Sequence, residues 1–325
     1  MDIDKKKLVL IVPYFGKLPS WFDLWLRSAK FNREIDFLLF TDCNIESSNN
    51  IIVMKMTFSD FVRMCQSKFE FKISLENPYK ICDYRPAFGL IFDEYIKKYS
   101  HWGHCDTDLI FGDLSNFIDL DSMGDYGRIY TRGHLSIFKN NAEINSLFKS
   151  NICISFIDYR RVFNTNYPCH FDEHGGSSLA FIKSEFKVYD QLDFADVYYH
   201  NFEFRNALTS NSNDTRLLFS WNNGHLLQYS MNCRSEEIEK DEVAYVHLQK
   251  REMSIKVDDI TNIDKFSIVP NQFVSFKNEF KKSDFRPING KFSFYFSYLK
   301  RRFKDISFKL NNGYFEYKIS WSKNN

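Results

Sequence analysis

The stretch Trp102-Gly103-His104-Cys105-Asp106-Thr107-Asp108-Leu109-Ile110-Phe111 decides how this chain is read. Its apolar ends predict a buried strand, and two carboxylates are set into it. On an extended backbone residues i and i+2 point to one side. Asp106 and Asp108 are therefore expected to face one spot beside Leu109-Ile110-Phe111. Unpaired, they would repel each other and be costly to bury. A divalent cation removes that cost. Oxygen ligands that leave the coordination sphere incomplete favour Mn²⁺ or Mg²⁺, with substrate phosphates filling the rest. A bare D-x-D is a weak signal, and a surface turn reads the same way.

Working outward, the first ~115 residues alternate strand and helix patterns. Leu8-Val9-Leu10-Ile11-Val12 is a continuous apolar run ending at Pro13. Pro19-Ser20 opens a helix to about Lys30, and Ile35–Asp42 and Ile51–Met56 read as further strands. Thr57 or Ser59 caps a helix to about Lys68, and Pro78 precedes another over roughly Lys80–Lys98. This alternation predicts one mixed, mainly parallel sheet flanked by helices, an α/β class. In such sheets ligands bind beyond the carboxyl ends of the strands. Pro13-Tyr14, Thr41-Asp42 and Asp106–Asp108 all fall at strand ends. Beyond residue 125, Arg128–Arg132 and Val243–His247 are strand candidates, and Ala142–Ser150 and Gly176–Lys183 are helix candidates. Residues 186–235 read as polar and loop-rich.

Three other strings carry candidate chemistry. In Tyr245-Val246-His247-Leu248-Gln249-Lys250-Arg251, His247 suits a third metal ligand, and Lys250 and Arg251 could reach phosphate oxygens. A core-edge histidine with two solvated bases is the alternative. In Tyr79-Lys80-Ile81-Cys82-Asp83-Tyr84-Arg85, Lys80, Asp83 and Arg85 could hold ribose, phosphate or sugar, or simply cap a solvated helix start. Phe171-Asp172-Glu173-His174-Gly175-Gly176 offers Asp172 and Glu173 to sugar hydroxyls or to activation of an acceptor hydroxyl. They also fit acids favoured by a helix dipole.

Composition bounds the rest. In 325 residues, 44% are hydrophobic and 18% aromatic, enough for a real core and unlike a disordered chain. Seven cysteines without C-x-x-C spacing fit a reducing cytoplasm. The charged Met1–Lys7 and the short apolar stretch Leu8–Phe15 lack the features of a secretory signal, and no apolar run is long enough to span a bilayer. The net charge is +1, but residues 281–325 hold eleven Lys/Arg against three acids. Lys291–Leu310 is aromatic and basic, an interfacial-helix composition, or else an ordinary terminal helix packed on the domain. The expected division is a domain over 1–280 and a basic aromatic helical tail over 281–325, with an anionic surface as a partner.

Taken together, the strings resemble a family of bacterial polysaccharide-biosynthesis glycosyltransferases long carried as a domain of unknown function. The resemblance covers roughly residues 8–255. It rests on the strings above together with Ile11–Lys17, Phe40–Asp42, Phe71–Ser74, Pro86–Gly89, Gly112 and Gly133-His134-Leu135. The order of elements is similar to that of the glycogenin-like and lipopolysaccharide-galactosyltransferase families. The resemblance implies a GT-A fold and hexose transfer from a nucleotide-diphospho-sugar, a UDP-sugar above all. The acceptor would be a hydroxyl of a cell-surface or lipid-linked glycan, at the cytoplasmic face of the inner membrane, with no nucleic-acid partner. It also implies that Asp106, Asp108 and His247 bind Mn²⁺. Asp42 and the Pro13-Tyr14 backbone would hold the base, Asp83 the donor, and Asp172 the transferred sugar. Where those families have Asp-Gln, this chain has Asp172-Glu173, so either acid could instead be an inverting base. A metal-dependent phosphoesterase and a non-catalytic carbohydrate binder are the other functional readings of the residues.

Overall fold

A computed structural model describes residues 6–150, 158–173, 176–208, 214–286 and 290–311. His174 and Gly175 of the acidic string, Cys153, and residues 312–325 of the tail lie outside the described residues. The strands are β1 (Leu8–Tyr14), β2 (Ile35–Thr41), β3 (Ile51–Lys55), β4 (His101–Cys105), β5 (Leu109–Phe111), β6 (Tyr126–Arg132), β7 (Leu135–Lys139) and β8 (Lys187–Tyr189). They continue with β9 (Ala195–Asp196), β10 (Thr215–Asn222), β11 (His225–Asn232), β12 (Ile238–Glu242), β13 (Tyr245–His247), β14 (Ser254–Lys256), β15 (Lys265–Val269) and β16 (Gln272–Ser275).

The main sheet has seven strands in the order β3-β2-β1-β4-β7-β6-β8. From β3 to β4 neighbouring strands run parallel; β4–β7 and β7–β6 are antiparallel. The continuous apolar runs have a simple cause: both faces of the sheet are covered. Leu8, Leu10, Val12, Phe37 and Leu39 enter one core, whereas Val9, Ile11, Leu38 and Phe40 enter the other. The first core is closed by the helix Phe22–Phe31, whose Leu24, Trp25 and Ala29 are buried. The second lies under the helix Phe58–Gln66, capped by Thr57 with a reciprocal bond from Asp60.

Three sequence expectations fail. First, the sheet is not single. A six-stranded sheet, β12-β11-β10-β15-β16-β14, packs Trp221, Phe266 and Phe273 into the first core, and β5-β13-β9 form a third sheet. Two of the six strands of this second sheet, β10 and β11, lie in the region read as loop-rich. Its β10–β11 hairpin turns on Asn223-Gly224, both at positive φ (48° and 91°), with Asn222 paired to His225. That is the Asn-Gly signature of a two-residue hairpin, legible in the sequence but outweighed by polar flanks.

Second, the stretch after Pro78 is not one helix. Pro78–Ala87 winds as a 3₁₀ helix containing Pro86, followed by two short helices, Phe88–Ile91 and Asp93–Ile96. The ring at Pro86 removes a backbone donor and breaks regular α-winding. Third, Trp102–Phe111 is not one strand. β4 ends at Cys105, the chain turns through Thr107-Asp108, and β5 leaves for the third sheet.

Candidate active site

The break between β4 and β5 creates the site. A cavity of about 760 Å³ opens beyond the carboxyl ends of β1 and β4. Pro13 and Tyr14 from the end of β1, Asp106 and Asp108 from the break, and Asp172 and Glu173 line it. Arg85, His134, Asp196, Tyr199, His247, Gln249 and Lys250 complete much of the wall.

The carboxylates converge by a turn and not by strand alternation. The Asp106 amide donates to the His134 carbonyl, at 2.8 Å, and its own carbonyl accepts from Trp25 Nε1 at 3.1 Å. Antiparallel pairing sets His247 opposite Leu109, and parallel pairing sets it beside Asp196. His247 Nε2 therefore lies 3.3 Å from Asp108 Oδ1, and Nδ1 lies 2.8 Å from Asp196 Oδ1. Gln249 Nε2 donates to the same Asp196 oxygen at 2.6 Å. Burial would favour neutral His247, but Asp108 and Asp196 prevail and push its pKa up to about 10. Burial would likewise raise Asp108; His247 outweighs it and holds the carboxyl below its ordinary range.

Asp106, Asp108 and His247 place one ligand atom each within 4.8 Å of one another. Two hard oxygens and an imidazole nitrogen suit Mn²⁺ or Mg²⁺. His134, Asp196 and His247 form a second such group. It is the poorer cation set, because Asp196 already takes the Nδ1 side of His247 and leaves Nε2 toward Asp108. Arg85 lies against Asp106 and Asp172, and His247 lies between Asp108 and Asp196; a cation would take over part of this charge balance.

Arg85 ties the two acidic pairs together. One terminal nitrogen bonds Asp106; the other donates to Asp172 Oδ2 at 2.8 Å and to the Gly133 carbonyl at 2.7 Å. Asp172 is only 2% exposed, and its Oδ1 has no hydrogen-bond partner. Burial pushes it up to about 7 even though Arg85 opposes the shift. Gly133 lets both acids close in: a Cβ would stand 2.5 Å from Glu173 Oε1 and 3.0 Å from Asp172 Oδ2, so the Glu173 side chain would have to shift. Lys250 Nζ sits at the rim, 5.8 Å from the Tyr79 ring centre and 5.9 Å from that of Tyr199.

Other sequence candidates fall elsewhere. Lys80 and Asp83 are fully buried and pair at 2.6 Å. Asp83 also accepts from the Cys169 and Phe171 amides, each at 2.8 Å, so the pair supports the loop that carries Asp172 and does not line the cavity. Their position inside the 3₁₀ turn, beneath that loop, explains the difference. Asp42 is exposed and accepts from the Gly16 amide at 3.0 Å, outside the cavity wall. Arg251, by contrast, does reach the cavity wall, but it is largely buried and its guanidinium holds the carbonyls of Tyr198, Asn201 and Phe202.

Sequence reasoning missed Asp196, His134 and Gln249. Asp196 lay in a region read as loop, without a motif. His134 sits beside Gly133 between two strands, its Nε2 buried without a partner and its Nδ1 3.2 Å from the Tyr245 hydroxyl. Gln249 has φ of 41°, a conformation rare outside glycine, and places its amide on Asp196.

No curated protein matches the chain. Among solved structures it is similar to "a glycosyltransferase involved in the glycosylation of the major capsid of PBCV-1". That similarity is 12% identity over 58% of this chain and 84% of that one, with a TM-score of 0.31, a level that carries no argument for fold or activity. The model of a family described as "Family of unknown function (DUF6625)" matches residues 10–277, and the chain belongs to that family.

Proposed function

We propose that this protein is a metal-dependent glycosyltransferase that moves a hexose from a nucleotide-diphospho-sugar, a UDP-sugar first of all, to a hydroxyl of a glycan or lipid-linked glycan. The observation that carries the reading is the convergence of Asp106, Asp108 and His247 at the carboxyl edge of a parallel sheet, inside a cavity large enough for a nucleotide-sugar.

A divalent cation bound there would neutralise the charge that builds on a departing nucleoside diphosphate. The chain's own residues do the rest. Asp106 and Asp108 present oxygens, and His247 presents Nε2, oriented from behind by Asp196 and Gln249. Lys250 stands at the rim as a counter-charge for phosphate oxygens. The Pro13-Tyr14 strand end lines the cavity beside the parallel strands, and this wall would take the base or ribose. Asp172 and Glu173 face the cavity from the Arg85 side. One Asp172 oxygen is held by Arg85; the other is buried and has no hydrogen-bond partner. With its pKa near neutrality, Asp172 is suited to accept a proton from an acceptor hydroxyl.

The test is a panel of nucleotide-sugars with and without Mn²⁺, read first by thermal shift and then by transfer to glycan acceptors. One donor should stabilise the protein in a cation-dependent way, because only the native state binds it. Stabilisation by no donor, or hydrolysis that acceptors never intercept, would overturn the reading.

A further inference from the structure

The C-terminal helix Lys291–Asn311 has no buried residue. One of its faces is fastened to the domain. The Tyr298 hydroxyl lies 2.6 Å from His200 Nδ1, Phe294 packs on Phe202, and Phe308 packs edge-on against Tyr79. Arg301 bonds the Lys250 carbonyl and covers the Tyr199 ring. Tyr79, Tyr199 and Lys250 are themselves cavity-lining residues, so the helix is bolted to the rim of the site.

The opposite face is apolar and open. Phe292, Phe296, Leu299, Phe303, Ile306 and Leu310 recur at helical spacing and are each more than half exposed, Phe292 at 88% and Phe303 at 70%. One position of this stripe comes round every turn, and none is shared with the residues that grip the domain. Lys300 and Lys304 flank it on one side and Arg302 on the other, all exposed. A continuous exposed apolar stripe of this size is costly in water and marks a docking face. Cations on both flanks fit an anionic headgroup layer, into which the stripe can sink while the charges remain at the phosphates. No described helix is long and apolar enough to cross a membrane, so this geometry lies on the surface and does not span it.

We propose that the outer face of helix Lys291–Asn311 docks on an anionic phospholipid bilayer and sets the rim of the cavity at the lipid surface. The consequence for substrate, which rests on the glycosyl-transfer reading above, is that the acceptor is glycan carried on a membrane lipid, reaching the Tyr79–Tyr199–Lys250 rim from the bilayer side.

The docking itself is tested on the full chain without donor or cation, so its outcome is independent of that reading. Co-sedimentation with phosphatidylglycerol/phosphatidylcholine vesicles should retain the wild type, and pure phosphatidylcholine should retain at least tenfold less. The double variant Phe296→Glu/Phe303→Glu should lose at least tenfold in bound fraction, and Lys300→Glu/Lys304→Glu should lose a similar factor together with the salt sensitivity. All four side chains are exposed, and an unchanged melting temperature confirms folding. Absence of wild-type binding, equal binding to neutral vesicles, or stripe variants that bind like the wild type would overturn the proposal. A dimer in sedimentation equilibrium that Phe296→Glu/Phe303→Glu dissolves, with no vesicle binding, would assign the face to a second copy of the chain instead.

Discussion

His247 Nδ1 lies 2.8 Å from Asp196 Oδ1, with Nε2 of the same ring 3.3 Å from Asp108 Oδ1. The imidazole is held between two carboxylates, one behind it and one in the cavity. A carboxylate behind a histidine fixes its tautomer and raises the basicity of the opposite nitrogen, an arrangement suited to a metal ligand.

Removing that support should weaken cation binding without removing a ligand. Asp196→Ala is expected to lower Mn²⁺ affinity roughly 10–100-fold, measured by titration calorimetry on the protein without donor. Unchanged affinity would mean that His247 does not hold the cation.

Asp108→Asn should act more severely. Cation-dependent donor stabilisation should vanish, and kcat/KM should fall by at least about 100-fold, the loss expected when charge stabilisation of the leaving group is removed. A variant with full activity would exclude Asp108 from the reaction.

Cation binding should depend on pH with a definite sign. His247, at about 10, carries a proton at neutral pH, and a cation on Nε2 must displace it. Affinity should therefore rise with pH between about 6 and 9, by roughly one log unit per pH unit if His247 is the only competing proton. In the cation-free protein the shift runs the other way for stability. A histidine whose folded pKa is raised contributes fully below its unfolded pKa and loses that contribution as pH rises through about 10. The melting-temperature gap between wild type and His247→Gln should shrink across that window.

Lys80→Met should reduce stability and not donor affinity directly. It leaves Asp83 buried without its ion-pair partner, at a cost of about 3 kcal/mol. The Asp83 bonds to the Cys169 and Phe171 amides remain and limit the loss. Chemical denaturation measures it; a variant of native stability with specifically weakened donor binding would return Lys80 to the cavity wall.

Much of the architecture is legible in the sequence. The runs Leu8–Val12 and Ile35–Thr41 announce a sheet buried on both faces, because only there is continuous apolarity rewarded. Thr57 and Asp60 announce a capped helix. Asp106, Asp108 and His247 could be singled out by residue type and flanking pattern. The second sheet escaped because strands with one half-solvated face, such as β11 and β12, carry a weak pattern in a polar region, even with Asn223-Gly224 between β10 and β11.

The sequence by itself determined which side chains could bind a cation and which segments must be buried, since both follow from local chemistry. It could not determine which of those side chains meet. Asp196 stands 51 residues from His247 and reaches it only through the β9–β13 register. Lys80 and Asp83 looked like ligand groups and became a buried support, because the loop at 167–171 folded over them. Those outcomes depend on long-range packing, where free energy is shared among many contacts and no short window of residues records it.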